Sequence, residues 1–117
     1  MKDIEIIREI MDAMSVNRTL SKSGESYFIP EGITPQEVKD TIILRTITYL
    51  NDELIEPYGK AKLGKYDITP QEVVEDYVVR FRDIVKKTSR MLFLSFPDDE
   101  EIESALQEGL NPRYLQP

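Results

Sequence analysis

The hexamer Ile33-Thr34-Pro35-Gln36-Glu37-Val38 recurs letter for letter as Ile68-Thr69-Pro70-Gln71-Glu72-Val73. Each copy is a complete device for starting a helix. Thr34 and Thr69 are N-caps, whose hydroxyls accept a hydrogen bond from the third helical N–H. Pro35 and Pro70 take the first helical position, where an N–H has no partner to lose. Glu37 and Glu72 stand where a capping-box carboxylate reaches back, and Ile33/Val38 and Ile68/Val73 are spaced as hydrophobic staples. Two copies fall short of the three or more units that a stacked repeat needs, so two independently good helix starts explain the identity better than duplication does.

The apolar periodicity downstream extends both helices. From Pro35 to about Ile55 the stripe Ile43, Ile47, Leu50 and Leu54 is widened by Val38, Ile42 and Tyr49, broad enough to touch neighbours on two sides. Pro57 is expected to end this helix. From Pro70 to about Met91 the buried set is Val73, Val74, Tyr77, Val78, Phe81, Ile84, Val85 and Leu92. Glu75, Asp76, Arg80, Asp83, Lys86, Lys87 and Arg90 form its solvated face. An N-terminal helix spans residues 3–17, with Ile4, Ile7, Met11 and Met14 as one stripe and Ile6, Ile10 and Ala13 as its neighbour.

Residues 17–26, rich in Ser, Gly and charge, read as a loop. Tyr27–Ile29 is extended because Pro30 follows, and Tyr66–Ile68 is a second segment available to pair with it as a minor two-stranded element. A fourth helix starts at Asp98, with Glu101 as its box partner, buries Ile102, Ala105 and Leu106, and stops at Gly109. The expected fold is therefore mainly α: a small irregular bundle of three to four helices over residues 1–109, with an extended, non-helical tail over 110–117. A chain of 117 residues suffices for one such domain, burying roughly 65% of its unfolded surface.

Composition limits the chemistry. There is no Cys, no His and no Trp, which excludes a Ser-His-Asp triad, a Cys-His pair and a Cys/His zinc site. Catalysis would fall to carboxylates, Lys, Arg, Tyr, Ser or Thr, with a hard cation such as Mg²⁺. The N-terminus does not read as a signal peptide, and no apolar run reaches the ~18 residues of a membrane span. The expectation is a soluble cytoplasmic protein, or a component of an intracellularly assembled particle, and not a secreted one. With a net charge of -7 and a pI near 4.6, the chain as a whole repels nucleic-acid phosphates.

Three constellations invite a functional reading. Gly59-Lys60-Ala61-Lys62-Leu63-Gly64-Lys65 matches the spacing of a phosphate-binding P-loop, but Tyr66 stands where the Mg²⁺-binding Ser or Thr belongs, and the segment follows a helix, not a buried strand. What survives is a possible anion contact through Lys60, Lys62 and Lys65, extended to nucleic acid only with the Arg80, Lys86, Lys87 and Arg90 face. Glu37-x-x-Asp40 and Glu72-x-x-Glu75-Asp76 are spaced in a way that resembles the paired acidic motifs of all-α nucleotide pyrophosphatases, which implies an Mg²⁺-dependent hydrolase if these carboxylates point inward. Their helical phase places them opposite the apolar stripes. The acidic run Asp98–Glu103 is explained by the helix dipole alone.

The third constellation is apolar. Leu92, Phe93, Leu94 and Phe96 point in nearly every direction from one segment, more than one small core can cover. In the tail, Tyr114 and Leu115 lie between prolines, in the manner of a short groove-docking segment. These six residues are the expected partner-binding set. The functional expectation is a non-enzymatic protein-interaction module without catalytic residues, metal or cofactor. A small acidic subunit, an adaptor, a phage-type inhibitor or an assembly component would each fit, with a protein partner or self-association and neither membrane nor nucleic acid.

Overall fold

The structure, a computed structural model, describes residues 2–21, 24–65, 67–92, 99–110 and 114. In chain order these form α1 (Asp3–Ala13), β1 (Asn17–Ser21), β2 (Gly24–Phe28), α2 (Pro35–Lys62), α3 (Pro70–Met91) and α4 (Asp99–Gly109). The protein is a small, mainly α helical bundle.

The helix α1 is shorter than its periodicity suggests. Val16 donates to the Met11 carbonyl and Ser15 to that of Asp12, both at 3.0 Å, while Ser15 adopts a left-handed φ of 54°. This is a Schellman ending with Ser in the position usually held by Gly. No glycine marks the stop, which is why the sequence reading ran on to residue 17. The reversed chain enters an antiparallel hairpin, with β1 paired to β2 in the register Asn17↔Phe28 to Ser21↔Gly24. The expected loop over 17–26 is thus largely strand. The partner of Tyr27 and Phe28 is β1, a short-range hairpin requiring little loop closure, and not the segment at Tyr66–Ile68, of which Tyr66 lies outside the described residues.

Both repeated hexamers start helices. The Thr34 hydroxyl accepts from Glu37 N at 3.1 Å and the Thr69 hydroxyl from Glu72 N at 3.2 Å, with proline in the first turn of each helix. The return bond of the capping box is present in α2, where Thr34 N donates to Glu37 Oε2 at 3.4 Å, and is not part of the α3 start. Both sites are exposed, so a glutamate returning to the backbone competes with water, and the bond that does form is long.

Pro57 does not end α2; the helix continues to Lys62. A proline forfeits one backbone hydrogen bond, and the turn beyond it is held by other means. Ala61 is buried, Lys60 pairs with Glu56 at 2.7 Å, and the Tyr58 ring meets Tyr114 edge-on at 4.8 Å. The helix ends in a second Schellman motif: Lys65 donates to Lys60 O, Gly64 donates to Ala61 O, and Gly64 supplies the positive φ of 72°.

The long helix α2 is the spine. It packs against α1, α3 and α4, and α1 also touches α3. One continuous apolar cluster joins Ile6, Ile10, Val38, Ile42, Leu50, Leu54, Phe81, Val85, Ile102 and Leu106. Buried Thr46 and Thr88, overlooked in an apolar pattern, satisfy their hydroxyls on the carbonyls of Ile42 and Ile84 four residues back. Near the middle of the spine, Gly109 lets α4 approach so closely that an added Cβ would lie 2.8 Å from Ile47 Cδ1. Asn51 Nδ2 donates to the Gly109 carbonyl at 3.1 Å. The expected N-cap Asp98 lies outside the described residues.

Candidate functional site

Of the six residues singled out for partner binding, Leu92 and Tyr114 fall among the described residues. Leu92 is the C-cap of α3 and is buried in the core. Tyr114 is also buried, against Tyr58. Both differ from the exposed anchors expected: Leu92 and the Tyr114 ring are covered by the chain's own core. Phe93, Leu94, Phe96 and Leu115 lie outside the described residues. Lys60 and Lys62 are in the last turn of α2 and Lys65 follows it, where the cations compensate the negative end of the helix dipole. A phosphate loop precedes a helix and presents N–H groups; here the segment ends one and presents carbonyls.

The carboxylates of the hydrolase reading do not converge. Glu37, Asp40, Glu72, Glu75 and Asp76 are all exposed. Glu37 is engaged in its cap, while Asp40 and Glu75 accept from Gln36 and Gln71 one turn earlier. Among the described residues, no group of three or more carboxylates is arranged to hold a metal ion. Of the basic face, Lys87 pairs with Asp83 at 2.9 Å and Arg80 with two carboxylates; Arg82, outside that set, pairs with Glu103 of α4.

Arg80 departs most from its expected place on a solvated face. Its Nε donates to Asp3 Oδ1 at 2.9 Å and its Nη1 to Glu53 Oε2 at 2.8 Å, so one side chain ties α1, α2 and α3 together. Its guanidinium carbon lies 5.0 Å from the Tyr77 ring centroid. Burial pushes the Glu53 carboxyl up, but hydrogen bonds and charge from its cationic partners, Arg80 among them, hold it below the usual range. The Arg80 guanidinium is desolvated, which opposes its charge, yet Glu53 and Asp3 raise its pKa overall. Burial, followed by the negative charge of Glu53, raises that of Tyr77. A second polar tie joins α1 to α2, where the Tyr49 hydroxyl hydrogen-bonds Glu9 and is raised by that bond and by burial.

Two larger concavities lie among the described residues. One, of about 680 Å³ between α2 and α4, is lined by Gln36, Lys39, Asp40, Ile43, Glu100, Glu101, Ser104, Ala105 and Glu108, so that carboxylates and other polar groups make up most of its walls. The other, of about 640 Å³, is mixed, with apolar and aromatic side chains beside the charged Arg8 and Asp12. Ile4, Ile7 and Met11 of α1 form its floor, and Arg8 and Asp12 of the same helix also line it. Val16 closes it just after the Schellman turn, Tyr27 of β2 forms a wall, and Met91 closes the C-terminal end of α3. Ile4 stays 45% exposed at this groove, whereas Ile7, Met11 and Met14 of the same stripe are buried in the core. Sequence reasoning missed the groove for two reasons. The α1 stripe reads as ordinary core, and the hairpin that supplies Tyr27 has no turn signature strong enough to call up a strand pair.

No helix among the described residues is long and apolar enough to cross a membrane. No family model matches this chain, and no curated protein or solved structure is detectably similar to it.

Proposed function

We propose that this protein is a non-enzymatic protein-interaction module, a small acidic subunit, adaptor, inhibitor or assembly component that acts by docking on a protein partner. The observation that carries the reading is the groove at α1, the hairpin and Met91, in which apolar side chains stand beside Arg8 and Asp12. An open concavity of this kind, lined by aliphatic, thioether and aromatic side chains, accepts the apolar anchors of a partner. Met11 and Met91 add side chains flexible enough to repack around such anchors. The exposed Ile4 and the exposed Phe28 on β2 add apolar surface on the two elements that frame it. Phe93, Leu94 and Phe96 lie within five residues after Met91 in the chain and belong to the same test.

The experiment is affinity capture from the native source with the wild-type chain, paired with a solution mass measurement and with affinities for each captured protein. The variants are Ile4→Glu, Met91→Glu, Leu94→Glu and Phe96→Glu, each first shown to retain the wild-type thermal midpoint. Support is a defined partner, or a second copy, whose affinity falls tenfold or more in the Ile4 and Met91 variants. A strictly monomeric protein that binds the same partners equally well with all four substitutions would overturn the reading.

A further inference from the structure

We draw no further inference here: the strongest candidate, the groove between α1, the hairpin and the C-terminal end of α3, already carries the proposed function, and nothing in the structure shows what covers it.

Discussion

Arg80 stands between Asp3 and Glu53 with its side chain 23% exposed, and Glu53 is 18% exposed. An ion pair at that depth is partly shielded from solvent, so losing one partner strands the other. Arg80→Met keeps most of the apolar stem and removes the charge. We expect it to lower stability by about 2 kcal/mol, the range of hydrogen bonds to charged groups. Urea denaturation checks the loss, and a cycle with Glu53→Gln checks that the two effects are coupled. The pH dependence has a definite sign. Glu53 titrates below its ordinary value of 4.5 in the folded chain, so its contribution is complete above that pH and is lost as pH falls through the lower folded value. The gap between wild type and Arg80→Met should therefore narrow on acidification below that point; a gap that stays constant would show that packing, not charge, carries the effect.

Gly109 illustrates a different kind of residue effect. Gly109 is the last residue of α4 and its φ is not in the left-handed region, so the smaller conformational freedom of the unfolded chain alone favours Gly109→Ala by about 0.4–1 kcal/mol. The new methyl would meet Ile47 Cδ1 at 2.8 Å and Cγ2 at 2.9 Å, and Ile47 is itself buried. Overpacking of this kind costs about 1–3 kcal/mol, so the net change should be a loss of stability. The same substitution made in an Ile47→Ala background should be neutral or stabilising, and thermal melts of the four proteins decide it. A penalty that survives the removal of Ile47 would place the strain elsewhere.

At the scale of the elements, the chain's own punctuation set most of what was legible. The Thr-Pro-x-Glu starts located α2 and α3 to the residue, and apolar spacing of three and four identified most of their buried faces, because both signals are local. Three features escaped for reasons equally physical. The stop of α1 rests on Ser15 in a left-handed conformation, which no glycine advertises. The continuation of α2 past Pro57 depends on Ala61, Tyr58 and Tyr114, contacts made across the chain and invisible to periodicity. The groove exists only because the hairpin folds back beside α1, and hairpin pairing is set by tertiary placement more than by composition.

Pro57 supplies the test at this scale. Replacing it with Ala restores a backbone donor within a helix that is already formed, and a mid-helix proline costs ~3 kcal/mol relative to Ala at an unconstrained site. Part of that gain is offset by the more flexible unfolded chain, which leaves an expected stabilisation of about 1–2 kcal/mol. The readouts are a higher thermal midpoint and unchanged or stronger helical dichroism. A lower midpoint would mean that the backbone at Pro57 is what brings Tyr58 to Tyr114.

The whole molecule measures 49 × 28 × 20 Å with a radius of gyration of 15.8 Å, whereas a compact domain of this length has about 13 Å. The excess follows from the spine: a helix of 28 residues is about 42 Å long, and the remaining helices are laid along it. Such a molecule invites local melting, since its two ends share few contacts. Against that stands a single apolar cluster that takes in Met14, Leu54, Phe81, Leu106 and Tyr114, with Leu54 and Phe81 fully buried. A core without a break along its length has no natural place for a partial unfolding step to stop, so cooperative, two-state behaviour is expected. With no Trp, tyrosine fluorescence is the intrinsic probe, and the Tyr58–Tyr114 pair is one of its reporters. Urea transitions followed by tyrosine fluorescence and by far-ultraviolet dichroism should coincide. In Leu54→Ala, whose cavity costs about 2–5 kcal/mol, both should shift together to lower urea. If instead the fluorescence transition preceded the dichroism transition and only the latter responded to Leu54→Ala, the end of α2 beyond Pro57 would be a separate cooperative unit and the spine would not unite the fold.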